Sequence, residues 1–355
     1  MRRLLVVGPY PPPLGGISVH VKRLCELLQE DFSIRVADPY GIRRPRVEGN
    51  PDWVLRLGPP GLLAMLRLLT TLRRMRADIV HFHVSAMQRL MLLGPVVSLV
   101  LRNADVRVLT IHSGSFVLAY SGLTQYRRRK LRYLLNLFDV IVAVNSAQSD
   151  FITNELGIAP HRLVVVNAFI PEVESLPSAR IQSLLNLSQQ FKAVAVVAGA
   201  GEYKYGLHYV VSVFREYPDV LLVVCTYKSH DEEYMSTIDE LSRPEAHIQL
   251  VRELDESEFN QLLDVSDIFV RATDRDGDSV ALREAESKGL LILASDAVER
   301  PNGSFLFQTG NERSLTMALT DVLNRVGGDK GKLDVAKYRD SLRARYVELY
   351  HRSDP

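Results

Sequence analysis

The sequence has no apolar run near the roughly 20 residues that cross a bilayer. Its longest, Met91 to Leu101, covers eleven residues and has arginine on both flanks, so no membrane-spanning helix is expected. Cysteine is nearly missing. Cys25 and Cys225 lie 200 residues apart in apolar surroundings, which argues for reduced core thiols rather than a disulfide. Met1-Arg2-Arg3-Leu4 runs straight into a strand-like segment, with no apolar leader and no small-residue cleavage site. A cytoplasmic location is the expectation. Short-period repeats and low-complexity tracts are also missing, and no recognised nucleic-acid-binding module or aromatic–basic pattern occurs. Nucleic acid is therefore not an expected partner.

The chain holds 355 residues, of which 46% are hydrophobic and 24% charged, as in ordinary globular proteins. A net charge of +1 conceals an asymmetry. Residues 1–175 carry 22 Lys and Arg against 13 Asp and Glu, and the remainder carries 21 against 29. A basic first half suits an anionic partner, either a membrane surface or nucleic acid, or is simply a solvated face.

Short β-branched or Leu-rich runs alternate with helical patterns, the signature of an α/β protein with parallel sheets. Strands are expected at Leu4–Gly8, Ile34–Ala37, Ile79–Val84, Val106–His112, Val140–Asn145 and Leu163–Asn167. The pattern restarts at Ala193–Gly199 and continues through Val220–Cys225, Ile248–Val251, Ile268–Arg271 and Leu290–Ser295. Between the first two runs, Ile17, Val21, Leu24 and Leu28 recur at helical spacing. The periodicity breaks at Pro171–Gln190, giving domains at 1–172 and 173–335. A final helix is expected over Leu333–Arg352, its residues from about 336 packing back on the first domain. Sheets of this kind bind ligands at the carboxyl ends of their strands, so function is sought there.

The loop after the first strand reads Gly8-Pro9-Tyr10-Pro11-Pro12-Pro13-Leu14-Gly15-Gly16. Prolines stiffen it, and the paired glycines let backbone amides at a helix N-terminus approach a phosphate. It has neither the G-x-G-x-x-G fingerprint nor a Walker lysine, which weighs against nicotinamide and ATP. His81 and His83 alternate on one strand and share a face, and His112 ends the next strand. These could form a metal site, but no acidic ligand stands at a matching strand end. A hydrogen bond from His112 to a sugar hydroxyl or carbonyl, with His81 structural, is the favoured reading.

Thr273-Asp274-Arg275-Asp276-Gly277-Asp278-Ser279 follows the strand at Ile268–Arg271 and leads into a helix over Val280–Lys288 bearing Glu284 and Glu286. A calcium loop starting at Asp274 needs Gly at its sixth position and Glu at its twelfth, where Ser279 and Ala285 stand. The calcium reading fails on spacing. A helix start offering free amides, with Asp276 and Glu284 accepting from sugar or ribose hydroxyls, is the other reading beside a merely capped helix.

Taken together, these segments resemble glycosyltransferase family 4, of the GT-B fold. Pro11-Pro12-Pro13-Leu14-Gly15-Gly16 looks like the family's N-terminal donor loop. Asp78-Ile79-Val80-His81-Phe82-His83 and Thr110-Ile111-His112 look like its next cleft strands, and Val164-Val165-Val166-Asn167 like its strand before the linker. Asp267-Ile268-Phe269-Val270-Arg271 through Glu284-Ala285 is similar to the E-x7-E region. Ala294-Ser295-Asp296 and Arg300-Pro301-Asn302-Gly303 resemble a variant found among enzymes that build bacterial surface polysaccharides.

The resemblance implies two Rossmann-like domains facing across a cleft, an acceptor domain first and a nucleotide-sugar donor domain second. It implies Gly15 and Gly16 beside the donor phosphates and His112 beside the transferred sugar. Asp276 stands where the first Glu of the motif would be, and Glu284 matches the second, which holds the ribose. Amides from Gly277, Asp278, Ser279 and Val280 would meet sugar hydroxyls and diphosphate. The family's G-R…K-G pattern is altered: its Arg position is Ala200, and Lys204 is displaced by one, with Tyr205 before Gly206. Lys204, helped by Arg271, would then face the diphosphate.

Retaining hexosyl transfer without cofactor or metal is further implied, with the donor phosphate taking the acceptor's proton. The basic segments Leu66–Arg76 and Tyr126–Arg132 suggest contact with anionic membrane and a polyprenyl-diphosphate-linked saccharide acceptor. A nucleotide-sugar epimerase or hydrolase, or a catalytically impaired partner subunit, are the competing readings.

Overall fold

A computed structural model describes residues 1–12, 15–39, 51–56, 70, 76–84, 90–91, 104–112, 116–171, 178–227, 231–276, 279–328 and 331–352. The chain divides into two units: Met1–Ile170 with Ala336–Pro355, and Pro171–Val335.

In the first unit, strands β1 (Arg2–Val7), β2 (Phe32–Asp38), β3 (Val54–Arg56), β4 (Ile79–Val84), β5 (Val106–Ile111), β6 (Val140–Ala143) and β7 (Leu163–Val165) form one sheet. Its order is β3-β2-β1-β4-β5-β6-β7, and every pairing is parallel. A parallel sheet is covered on both faces, and all six residues of β4 are buried accordingly. The described helices of this stretch are α1 (Gly16–Leu28), α2 (Phe116–Ser121), α3 (Gln125–Leu135) and α4 (Ser146–Asn154). Val21, Leu24 and Leu28 of α1 join Leu4, Val6 and Val36 in one core cluster.

The second unit repeats the plan. Strands β8 (Ala193–Ala200), β9 (Val220–Tyr227), β10 (Ile248–Arg252), β11 (Ile268–Arg271), β12 (Leu291–Ser295) and β13 (Phe305–Phe307) form a parallel sheet of order β10-β9-β8-β11-β12-β13. Its helices are α5 (Ala179–Ser188), α6 (Leu207–Phe214), α7 (Glu232–Ser242), α8 (Glu256–Asp264), α9 (Val280–Ser287) and α10 (Glu312–Leu323). Side-chain caps from Ser178, Asp231, Asp255, Ser279 and Asn311 start α5, α7, α8, α9 and α10, each satisfying an amide the helix leaves unpaired.

The last helix, α11 (Val335–His351), returns to the first unit. It buries Leu342, Tyr346, Leu349 and Tyr350 in the cluster that holds Val21 and Leu24. Arg2 Nη1 donates to the Tyr350 carbonyl at 2.8 Å, and Arg343 forms an ion pair with Asp31.

Several boundaries differ from the sequence expectation. The strand expected to reach Asn145 stops at Ala143, because Asn145 turns its side chain to cap α4. Pairing of β6 with β7 likewise ends at Ala143 and Val165, short of Asn167. The final helix begins at Val335, and Leu333 before it donates its amide to the Ser287 carbonyl at 2.9 Å. The three-residue edge strands β3 and β13 were not anticipated. Cys25 and Cys225 are free and buried. No described helix is long and apolar enough to cross a membrane.

In each sheet the first strand of the unit has the next-numbered strand on one side and a later strand on the other, at β1/β4 and β8/β11. Connections diverge at such points and leave a crevice at the strands' carboxyl ends. The candidate residues gather at these two places.

Candidate functional site

In the first unit the proline loop is tied down from an unexpected direction. Arg56, the last residue of β3, donates from Nη2 to the Pro11 carbonyl at 2.5 Å and from Nη1 to that of Pro12 at 2.7 Å. The same guanidinium lies 3.6 Å from buried Asp38, whose carboxylate accepts the Tyr10 amide at 3.3 Å. Gly15 caps α1 in an extended conformation without a side-chain cap, and Gly16 is the first helical residue. Among the described residues, a Cβ at Gly15 would meet nothing closer than Ser18 Oγ at 3.9 Å. This helix start offers backbone amides that lack intrahelical partners.

Four histidines line this switch point. His81 is fully engaged: Nδ1 lies 2.6 Å from the Tyr350 hydroxyl and Nε2 lies 2.7 Å from Thr110 Oγ1. That arrangement suits a structural role. His83 Nδ1 lies 3.0 Å from His112 Nε2, just beyond the end of β5. His20 joins them from α1, with its Nδ1 held 2.7 Å from the Ala168 carbonyl. Its ring centroid is 4.8 Å from that of His112 and 5.3 Å from that of His83. The buried Nε2 atoms of His20 and His83 have no hydrogen-bond partner. Burial lowers His81, His83 and His112 well below the ordinary histidine value, and brings His20 to about 4. All four are neutral imidazoles near pH 7.

In the second unit, β8 ends at Ala200, and the chain passes through a short turn at Tyr203–Tyr205 to Gly206. Lys204 is not free: its Nζ lies 2.5 Å from Glu202 Oε2 and 5.2 Å from the centroid of the Tyr205 ring. Its carbonyl accepts the Asp274 amide at 2.9 Å, which joins the β8 loop to the β11 loop.

Arg271 and Arg300 converge on Asp276. Arg271 gives Nε to Oδ2 at 2.8 Å and Nη2 to Oδ1 at 3.1 Å, and its Nη1 donates to the Ala198 carbonyl. Arg300 gives Nη1 to Oδ2 at 3.1 Å and holds Ser295 through its carbonyl and hydroxyl. These side chains are at most 10% exposed. Burial alone would raise Asp276, but Arg271 and Arg300 outweigh it and hold the carboxyl below its usual range. Conversely, burial works against the Arg271 guanidinium, and Asp276 more than offsets it. Two guanidinium groups thus converge on one carboxylate beside the N-terminus of α9.

Ser279 caps that helix, accepting the Leu282 amide at 3.3 Å; Val280 is its first residue, and Glu284 is buried on it. Gly277 and Asp278 lie outside the described residues. Asp276 was expected to accept from a sugar hydroxyl, whereas both its oxygens here hold guanidinium groups. Gly15, Gly16 and His112 thus fall in the first unit, and Lys204, Arg271, Asp276, Ser279, Val280 and Glu284 in the second.

Residues 14–172 match the sequence profile of Glycosyltransferase Family 4. This stretch, just under half of the chain, is similar to the family 4 glycosyltransferases. The chain as a whole has the GT-B fold. Sucrose-phosphate synthase from Thermosynechococcus elongatus superposes with a TM-score of 0.76 at 14% identity, covering 98% of each chain. The catalytic domain of starch synthase IV from Arabidopsis thaliana, bound to ADP and acarbose, gives 0.69 at 13% identity over 98% of each chain. HepE of Anabaena, in complex with UDP and glucose, gives 0.68 at 14% identity, covering 99% of this chain and 97% of its own. No curated protein matches the sequence.

Three site residues of this chain escape a reading of its sequence: His20, Arg56 and Arg300. His20 lies on the buried face of α1, where a polar residue within an apolar repeat is the only signal. Arg56 belongs to a strand too short to show periodicity. Arg300 stands in the Arg300-Pro301-Asn302-Gly303 segment, 24 residues beyond the carboxylate it holds, and no local pattern links the two.

Proposed function

We propose that this protein is a retaining glycosyltransferase. It moves a hexose from a nucleoside-diphosphate sugar to a lipid-linked saccharide during the building of a cell-surface polysaccharide. The observation that carries the reading is the buried Arg271–Asp276–Arg300 cluster at the β8/β11 switch point, next to the start of α9. Two guanidinium groups and a helix N-terminus together suit a diphosphate. HepE was crystallised with UDP-glucose as well as with UDP, which supports a nucleotide-sugar donor.

In this reading the amides of Ser279 and Val280, with those of Gly277 and Asp278, stabilise the leaving diphosphate. Arg271 and Arg300 supply the charge that the family's Arg would give at position 200, and Lys204 joins them on release from Glu202. Asp276 orients the two guanidiniums rather than the sugar. Glu284 accepts from the ribose hydroxyls, and His112 contacts the transferred hexose. The donor's own phosphate takes the acceptor proton as the glycosidic bond forms, so the reaction needs neither an enzyme nucleophile nor a metal ion. The acceptor meets the basic first unit at the cytoplasmic face of the membrane.

A thermal-shift panel of nucleoside diphosphates and their sugar conjugates tests the donor site, since ligand binding stabilises the native state. The expected result is stabilisation by one base series, lost in Glu284→Gln, together with transfer to a polyprenyl-diphosphate saccharide that EDTA leaves intact. Free sugar released at the same rate without acceptor would instead mark a hydrolase. Activity lost in EDTA and restored by a divalent ion would end the metal-free mechanism.

A further inference from the structure

His20, His83 and His112 come from three different elements, yet each presents a ring nitrogen within 4.8 Å of the others. His81, the other half of the H-x-H pair, is not part of this group, because Tyr350 and Thr110 occupy both its nitrogens. His20 takes the third place. Its Nδ1 is committed to the Ala168 carbonyl, so Nε2 faces the cluster with a lone pair and no partner. Orienting one imidazole nitrogen through a backbone carbonyl is how proteins fix the tautomer of a metal-binding histidine and raise its basicity. A buried polar nitrogen left without a partner costs on the order of 1–3 kcal/mol, and among the described residues there are two here, on His20 and His83.

We propose that His20, His83 and His112 form a binding site for a first-row transition dication, best suited to zinc. Three neutral imidazoles match zinc's preference for nitrogen donors and leave its fourth tetrahedral position open. The nitrogens lie somewhat wider apart than in a filled site, and a small inward movement of the half-buried His112 closes the set. That movement exchanges the 3.0 Å contact between His83 and His112 for two metal bonds. Among the described residues no carboxylate belongs to the group, and Arg23, three residues after His20, adds positive charge nearby. The fourth ligand is therefore an anion, hydroxide or a phosphate oxygen. Ion binding does not require that the proposed transfer be correct, and it is no cofactor for that transfer. An ion on His112 takes up the side chain assigned there to the hexose.

The test is a titration of the chelator-treated full chain with Co2+, whose visible absorption is strong in tetrahedral sites and weak in octahedral ones. One equivalent of Co2+ is expected to give a tetrahedral spectrum that Zn2+ abolishes. His20→Gln and His112→Gln should each lose it, while His161→Gln and His351→Gln, at exposed positions elsewhere, should keep it. Urea unfolding of each variant separates a lost ligand from a lost fold, and half-buried His112 is the substitution the fold should accept. A wild-type chain with no saturable tetrahedral spectrum, or a spectrum surviving in folded His112→Gln, overturns the site. Neither outcome decides nucleotide binding in the second unit, which the thermal-shift panel reads separately.

Discussion

At Gly206 a Cβ would lie 2.4 Å from the Ala272 carbonyl oxygen, and the backbone has φ of +63°. Both the strained conformation and the contact with the end of β11 exclude a side chain. Gly206→Ala is expected to destabilise the second unit by about 3 kcal/mol, combining left-handed strain with overpacking, as measured by urea unfolding. Gly15 presents the opposite case, since its conformation is extended and, among the described residues, the nearest atom to an added Cβ is 3.9 Å away. Gly15→Ala should change stability by under about 1 kcal/mol, the scale of a helix-cap substitution. If the donor's phosphates approach this amide, the same variant raises the KM for donor about tenfold; an unchanged KM would remove Gly15 from the donor site. Sequence alone shows both glycines before helices but cannot separate them, because the atom that excludes a Cβ at Gly206 belongs to a different strand. The histidines teach the same lesson. The H-x-H spacing correctly places His81 and His83 on one face, but only the fold reveals that Tyr350, 269 residues along, withdraws His81, and that His20 replaces it.

Among the elements, long periodic segments are legible and short edge strands are not. Runs such as Ala193–Ala200 are apolar throughout and lie buried on both faces, whereas β3 is half-buried and, among the described residues, pairs with β2 alone. Its contribution is the placement of Arg56, which no three-residue pattern could announce. Helix α3 is a clearer case of sequence chemistry surviving into structure. Tyr126, Arg129, Lys130 and Tyr133 follow helical spacing along one face, and the two tyrosines are 77% and 61% exposed. Arg128, by contrast, is folded back over the Tyr120 ring and donates to the Leu123 and Ser121 carbonyls. The exposed cations of this face suit the surface of an anionic bilayer. The segment Leu66–Arg76 lies almost wholly outside the described residues, so α3 is the element to test. Arg129→Gln with Lys130→Gln should weaken binding to phosphatidylserine vesicles by about 2 kcal/mol, at about 1 kcal/mol per basic residue, with stability changed by less than about 0.5 kcal/mol. Vesicle flotation reads the difference. Binding by the wild type that ignores anionic lipid content would disqualify this face.

For the whole molecule, the chain order has a consequence for folding. The second unit is one continuous stretch, Pro171–Val335, with its own sheet and two core clusters. The first unit is interrupted: its cluster around Val21 and Leu24 is completed by Leu342, Tyr346, Leu349 and Tyr350 from the far end of the chain. Tyr350 is fully buried, satisfies His81 and receives Arg2 through its carbonyl. Removing α11 therefore exposes apolar surface and strips a buried histidine of its partner together. Fully burying each large side chain contributes about 1.5–3 kcal/mol, so losing four removes about 6–12 kcal/mol, comparable with the whole stability of an ordinary domain. A fragment of residues 171–335 is expected to fold cooperatively, and one of residues 1–170 is not, as judged by circular dichroism and urea titration. Adding residues 336–355 to the second fragment as a separate peptide should restore its structure. If residues 1–170 alone unfold with the same midpoint as the first unit within the full chain, α11 is an ornament on a finished domain. If the continuous fragment folds and is stabilised by a nucleoside diphosphate, by about 2.7 kcal/mol at a hundredfold excess over Kd, the donor site resides wholly in the second unit. The cationic cluster of Arg271 and Arg300 would then be sufficient for donor binding, without Gly15 or His112.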